Sequence, residues 1–507
     1  MPGLDKRRIL QGSASNLTRV FLGMLISLVL PHFLVRQMGT AEYSAWVLIL
    51  QLSAYVNLLD LGLQTAIGKF IAEYQAANNP LAARRTVSTA FTVMIGAAIV
   101  GAIAIFGMAW QVPRLFSQMP PSLVGDVRSG LLVVGLSVAF SLPFGVFLAT
   151  FTGLQEYGFP TVVIAASRVL STVGLIVLLL MRGNLVELAL LMAACNIATA
   201  LAQFAGWKRY AGDRIGFDLF GFDSGTSKRL LEYCGILTIW MIGNLLISGL
   251  DTAIVGHFDY KNTGYYAVAG SATNFMLLLV GNMLGPLLPA ISSLQVQRTS
   301  QELGLLLIRA TRLSTALLCM LGIPLLLLGF PLLRIWVGAH YASHAMVYLE
   351  LLVIANVVRQ LGYPYALMVV GLGQQRYATV SPVLEAITNL VSSVLLARRY
   401  GAIGAAMGTC IGAAAGVLAH LFISIPRTQG AVTVSRLRLV RDGVARPLLS
   451  FLPLLLCLPF WRRLSMLPLP IPALALWSIA TASILWWIGL APSDRRQMTH
   501  AARRAVS

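Results

Sequence analysis

Apolar residues in this chain gather into runs of about 20, the length that crosses the ~30 Å hydrocarbon core of a bilayer as a helix, and short polar segments separate them. Fourteen such spans are predicted. The first six cover roughly 16–35, 45–74, 86–110, 129–151, 158–181 and 185–207. Six more cover roughly 231–256, 264–292, 305–330, 345–371, 377–397 and 402–426, and a last pair covers roughly 448–463 and 471–490. That last pair is short and carries Pro453, Pro459, Pro468, Pro470 and Pro472, so pattern defines its boundaries least. The longest polar stretches, near 208–230 and 427–447, are too short for a separate soluble domain. The expectation is an all-α polytopic membrane protein.

Composition agrees. Of 507 residues, 57% are hydrophobic and 11% charged, against about 25% charged in a soluble domain, which excludes a water-soluble enzyme. The 37 Lys and Arg against 18 Asp and Glu leave a net charge of +19, but no polar surface exists to present it to nucleic acid. Sorted into alternate loops, 23 basic residues fall on one side, Lys6, Arg84, Lys208, Arg309, Arg312 and Arg427 among them, and 10 on the other. The positive-inside rule then places both termini in the cytoplasm, and most of the charge excess is topology. The basic N-terminus MPGLDKRRILQG runs into an apolar stretch longer than a signal-peptide core, without a small-residue cleavage site, so a retained first span is expected. Cys195, Cys234, Cys319, Cys410 and Cys457 stand singly in apolar runs and read as small buried hydrophobes, not as metal ligands or disulfide partners.

Two loop motifs recur at one offset. GTAEYSAW at 39–46 is echoed by KNTGYYAV at 261–268, with Tyr43 and Tyr265 222 apart, and GLQEYG at 153–158 by GQQRYA at 373–378, with Tyr157 and Tyr377 220 apart. Six spans separate the copies, an even number, so the halves share one orientation and relate by an axis along the membrane normal. The expected organisation is an N-lobe over 1–207 (spans 1–6), a cytoplasmic linker over 208–230, a C-lobe over 231–426 (spans 7–12), and a C-terminal linker, spans 13–14 and basic tail over 427–507.

MGTAEYSAW, NLLDLGLQTAIGKFIAEY at 57–74 and GLQEYGFPTVV at 153–163 resemble the polysaccharide transport branch of the multidrug/oligosaccharidyl-lipid/polysaccharide exporter superfamily. The resemblance covers the whole chain in span count, duplication and topology, through loose motifs. It implies a V-shaped alternating-access flippase of O-antigen, capsule or exopolysaccharide repeat units in a bacterial cytoplasmic (inner) membrane. It also implies a cationic cavity for a polyprenyl-diphosphate oligosaccharide, with a polysaccharide polymerase and a chain-length regulator as candidate partners. Related drug exporters usually carry twelve spans, and the count here departs from theirs.

An ionisable group at membrane depth costs a few kcal/mol on insertion scales, so each needs a partner, a wet cavity or a route to the interface. Arg19 shares a helical stripe with Asn16, Gly23 and Ser27, which suits a cavity, though at shallow depth it could equally snorkel. Arg168 and Arg359 lie deep. As forked donors from opposite lobes they could clamp a diphosphate; the alternative is a structural ion pair with Glu385 or Asp60. Asp60, on a stripe with Asn57, Gln64 and Gly68, is the leading candidate for coupling to H+ or Na+, against a structural role pinning a helix. Asp251 and Glu385 are weaker versions, and Glu385 could equally be an arginine's counter-ion. Lys69 is expected to snorkel or to pair with Glu73. His340 and His344 have i, i+4 spacing but no supporting ligand, so no metal is expected there, and no cofactor is expected elsewhere.

The competing classes fare worse. A polymerase or glycosyltransferase needs catalytic groups on sizeable outer loops, and the first outer loop offers only Glu42. A cation-coupled drug exporter of the same superfamily would favour an acidic cavity, whereas arginine is in surplus. No GxxxxGK[ST] loop is present to use a nucleotide, which leaves an ion gradient as the energy source.

Overall fold

The computed structural model describes residues 23, 26–219, 221–284, 291, 299–374, 377, 379–456, 460, 463 and 471–484. Every regular element among them is helical. Ten helical stretches, from Thr40–Ala76 to Val380–Arg427, are long and apolar enough to cross a membrane. They hold eleven expected spans, the second to the twelfth, because the last stretch holds two. A straight 40-residue helix would measure about 60 Å, twice the hydrocarbon thickness, but Gly401 at φ 61°, ψ −140° breaks it. Spans 1, 13 and 14 are described in part, with 26–37, Leu452–Leu456 and Ile471–Ile484 helical.

The helices are α1 (Thr40–Ala54), α2 (Leu63–Ala76), α3 (Pro80–Leu115), α4 (Pro121–Ser141), α5 (Gly145–Gly153), α6 (Gly158–Leu180), α7 (Leu185–Tyr210), α8 (Ser224–Asn244), α9 (Asp251–Phe258) and α10 (Thr263–Leu284). They continue with α11 (Ser300–Leu327), α12 (Gly329–Val337), α13 (Ala339–Gln360), α14 (Tyr363–Gly371), α15 (Val380–Ala419) and α16 (Ile471–Ile484). Their starts follow local chemistry. Asn184 and Glu187 cap α7 reciprocally, and Thr299 and Glu302 cap α11 in the same way. Asn79 accepts from Ala82 N–H, with Pro80 opening α3.

Packing divides the chain into two compact units: Met1–Leu245 with Thr252–Ala267, and Leu246–Asp251 with Val268–Ser507. This is a different cut from the repeat boundary, which follows sequence and not contact. In the first unit α4 packs against α1, α3 and α7. Its chain breaks at 142–144 before α5, and Phe147 fills the space below with its ring 5.5 Å from Phe91, 5.0 Å from Phe204 and 4.9 Å from Trp207. In the second unit α13 packs against α11, α12 and α15, and the chain breaks at 361–362 before α14. The register is shared: α4 and α13 start 218 apart (339 − 121), as do α5 and α14 (363 − 145), and the latter two end 218 apart (371 − 153).

The two limbs of α15 pack through a small-residue seam. Gly404, Gly408, Gly412 and Gly416 face Leu396–Ala397, Ser393, Asn389 and Glu385, and a Cβ on any of them would fall inside van der Waals contact. In lipid, where burying apolar side chains gives helices little reason to associate, such close backbone approach is what holds them.

Candidate functional site

The expected site residues divide between the two units. In the second, Arg359 at the end of α13 meets Glu385 on the first limb of α15, Nε to Oε1 2.5 Å, with side chains 16% and 9% exposed. Arg359 Nη1 donates to Asn356 Oδ1 (2.8 Å), whose own amide donates to Leu352 O. Glu385 is therefore the counter-ion of Arg359, whose Nη2 is buried without a hydrogen-bond partner among the described residues. The carboxylate rests against Gly416 across the seam. The pair is electrically neutral and held on two sides.

Arg168 stands in the first unit, ten residues into α6, and differs in every respect. It is exposed, and its side chain has no hydrogen-bond or ion-pair partner among the described residues. A Cβ at Gly23 would lie 3.0 Å from its Nη1, so the guanidinium lies against Gly23 of the first span. Arg19 itself lies outside the described residues. The structure thus brings Arg168 to the first span and pairs Arg359 with an acid.

Asp60 is buried where the second span breaks. Residues 55–60 tighten into a 3-10 turn, Leu61 (φ 49°) and Gly62 (φ 80°) are left-handed, and α2 restarts the helix. The carboxylate accepts from Gln64 N–H (3.3 Å), one of the amides the first turn of α2 leaves without an intrahelical partner. The expected continuous stripe of Asn57, Asp60, Gln64 and Gly68 is corrected here: the break turns Asn57 outward, where its amide donates to Ala54 O, while Gln64 faces Gly145. A break of this kind does not register in an apolar pattern.

Asp251 opens α9 and is buried. Before it, Leu245–Gly249 widen into a π turn. Asn389 donates to the Ile247 carbonyl of that turn, and Thr409 Oγ1 donates to Asp251 Oδ2 (3.0 Å). Ser393 Oγ bonds Asn389 Oδ1 (2.8 Å) and Ala405 O (3.2 Å), and Thr409 also reaches Ala405 O (3.1 Å). Each hydroxyl has one proton for two acceptors, so Ser393 and Thr409 join Asn389, Ala405 O and Asp251 as a cluster of oxygens within the second unit. Sequence reasoning missed Asn389, Ser393 and Thr409, although the i, i+4 series Glu385, Asn389, Ser393 opposite Gly404, Gly408, Gly412 and Gly416 was there to read.

Elsewhere Lys69 pairs with Glu73 (3.5 Å) and lies over the Tyr233 ring (4.5 Å). Glu42 caps α1 through Gly39 N–H. His340 and His344 lie side by side, rings 4.8 Å apart, and no cluster of three metal-ligating side chains occurs among the described residues. Arg309 and Arg312 are not loop residues as expected: both lie within α11, and Arg312 is buried. Its field acts on Asp442, whose carboxyl is held below the ordinary range, first by its hydrogen bond to Arg441 and then by the charges of Arg441, Arg438 and Arg312.

Comparison with known proteins agrees with this architecture. The family described as "Polysaccharide biosynthesis protein" matches residues 33–346. The uncharacterized membrane protein EpsK of Bacillus subtilis (strain 168) is 22% identical over 395 residues, 76% of each chain. Among solved structures, lipid II flippase MurJ in an inward closed conformation superposes with TM-score 0.70 at 13% identity, over 94% of this chain and 99% of that one. An inward-facing multidrug resistance MATE family transporter superposes with TM-score 0.65 at 14% identity, over 82% and 95%. At these identities the likeness is one of fold.

Proposed function

Since the chain belongs to the polysaccharide biosynthesis protein family and has the fold of membrane transporters, we propose that it is a flippase. Its substrate is a polyprenyl-diphosphate-linked oligosaccharide, carried across a bacterial cytoplasmic membrane for O-antigen, capsule or exopolysaccharide assembly. It catalyses no covalent step, and both termini are cytoplasmic. A polymerase and a chain-length regulator would act on what it delivers.

Arg168 carries this reading. A mid-span guanidinium with no partner among the described residues, and exposed among them, faces either lipid, at a cost of a few kcal/mol or more, or a wet cavity. Its approach to Gly23 places it over the first span, so a cavity is the reading that fits. Arg168, together with Arg19, receives the diphosphate through forked, charge-assisted hydrogen bonds. Arg359 is not assigned to the diphosphate, because Glu385 already cancels its charge.

Ion coupling is assigned to Asp251. Asp60 binds the first turn of α2 and Glu385 pairs with Arg359, whereas Asp251 lies in a cluster of oxygens beside a widened turn, chemistry that suits a hard cation or a proton. Reconstituted vesicles test both assignments. Arg168→Ala should abolish movement of a fluorescent polyprenyl-diphosphate oligosaccharide and Arg168→Lys should restore part of it, while Asp251→Asn should flip without responding to an imposed Na+ or pH gradient. A protein that leaves lipid-linked sugar unmoved and expels cationic drugs refutes the proposal.

A further inference from the structure

The two longest polar stretches carry equal numbers of basic residues and use them differently. Residues 208–230 hold five Lys and Arg against three Asp, a net +2, and residues 427–447 hold five Arg against one Asp, a net +4. In the first stretch much of the charge is tied to protein. Arg214 forks onto Glu156 (2.8 and 3.1 Å), Asp218 pairs with Arg84 (3.5 Å), and Arg229 Nη1 donates to Tyr74 Oη (2.9 Å). In the second, Arg438 and Arg441 share the single carboxylate of Asp442 (3.6 and 3.0 Å). Arg427, Arg436 and Arg446 make no ion pair among the described residues.

The second stretch is also two-faced. Arg436–Arg438, Leu439–Ala445 and Arg446–Ser450 run on as one helical segment with a π turn in its middle. Its inner face is fixed to the second unit: Leu439, with Val432 and Val434 before it, joins the core of Leu303, Leu307 and Ile308. Thr433 N–H donates to Ser300 O (3.0 Å), and a Cβ on Gly443 would lie 3.2 Å from the Thr311 side chain. The outer face carries Leu437, 78% exposed, and Leu449, 64% exposed, interleaved with the exposed Arg436, Arg438, Arg441 and Arg446. Leucines this bare need an apolar neighbour, and the arginines beside them need an anionic one. The segment joins the end of span 12 to the expected start of span 13, so both its ends meet the bilayer on one face.

We propose that the outer face of 436–450 is a docking surface for anionic phospholipid, with Leu437 and Leu449 in the acyl boundary and the arginines on headgroup phosphates. Long arginine stems reach from apolar depth to the phosphate level, and the guanidinium fork matches phosphate oxygens. The positive-inside rule sets only the face on which charge lies. Here one stretch directs its charge to protein and the other to lipid. The proposal is independent of what the protein transports.

Fluorescence of the full-length protein in phosphatidylcholine nanodiscs tests it. Leu437→Trp lies on the exposed face and leaves the core intact. With wild-type emission subtracted, brominated phosphatidylglycerol should quench the new indole about fivefold more than an equal fraction of brominated phosphatidylcholine, the factor for one arginine near an anionic surface. Adding Arg436→Gln, Arg438→Gln and Arg441→Gln should bring the two lipids near parity. Adding Lys208→Gln and Arg209→Gln should leave the ratio unchanged, and adding Asp442→Asn, which frees two arginines, should raise it. Equal quenching by the two lipids before any charge is removed would overturn the proposal, as would a ratio that survives the triple arginine change. Absence of quenching would overturn it too, leaving the face to water or to another protein. Loss of the preference on adding inorganic phosphate at constant ionic strength would show a free-phosphate site instead, and would equally overturn it.

Discussion

The ends of α4 and α13 occupy the same register in the two copies and hold opposite chemistry. Ser141 stands where Arg359 stands, 218 residues earlier, and its hydroxyl donates to Ser137 O (2.8 Å) and approaches Asn196 O on α7 (3.4 Å). Arg359 instead pairs with Glu385 on the first limb of α15. Two residues beyond each break-helix start, Phe147 lies in a cage of rings, and its counterpart Tyr365 bonds Thr428 (2.9 Å) with its ring 5.3 Å from His420. The same broken-helix scaffold is thus sealed by apolar packing in one copy and by buried polar groups in the other. Duplication supplied the break twice, and side chains then gave each break its own chemistry.

The largest expected effect is at the charged copy. Removing one member of a buried ion pair strands the other, at about 3–5 kcal/mol, so Glu385→Gln and Arg359→Met should each lose most folded protein in a detergent thermal-stability assay. The double variant Arg359→Met/Glu385→Leu should recover much of that stability, because neither charge is left alone. Ser141→Ala, at the matching position, removes a neutral bond of about 1 kcal/mol. Equal losses for Glu385→Gln and Ser141→Ala would show that the two breaks do not differ as described.

An exchange at the next matched position should give a smaller effect. Phe147→Tyr puts a hydroxyl among rings that offer no acceptor, a cost of about 1–3 kcal/mol. Tyr365→Phe deletes a hydroxyl whose partner keeps other contacts, since Thr428 Oγ1 also reaches Ser424 O and Ile425 O, so about 1 kcal/mol is expected. Thermal midpoints of the two variants should fall in that order, and the reverse order would mean the ring cage is wetter than its packing implies.

Much of this scaffold could be read from the chain. Spans 2 to 12 follow from run length, and the caps at Asn184–Glu187 and Thr299–Glu302 follow from their spacing. The deep charges Arg168, Arg359, Asp60, Asp251 and Glu385 stand out because apolar runs make them conspicuous. Their partners stood out less. Glu385 was one of two acids open to Arg359, and only the packing of α13 against the first limb of α15 selects it. The break at Leu61–Gly62 is equally silent, because a leucine in a left-handed conformation leaves no trace in an apolar pattern. The GxxxG series at 404–416 was legible and predicts the seam directly.

The smallest effects belong at the helix caps, which polar contacts at the span ends should make nearly interchangeable. Asn79 and Thr299 cap α3 and α11 at matched positions, and either alanine variant should cost about 1 kcal/mol, without pH dependence because neither side chain titrates. Asp223 caps α8 through Thr226 N–H (2.7 Å) and does titrate. Hydrogen bonding to Thr226 holds its carboxyl below the ordinary range, with the charges of Arg85 and Arg229 adding to the effect. The folded value therefore lies below the unfolded one, so the stabilisation is complete above the unfolded value of about 3.9 and is lost as pH falls through the folded value. Hydrogen exchange at the Thr226 amide should accelerate in that acid window, beyond the intrinsic pH trend, in the wild type, while Asp223→Asn should show the intrinsic trend alone. Identical profiles for the two proteins would mean that solvent, and not Asp223, satisfies the first turn of α8.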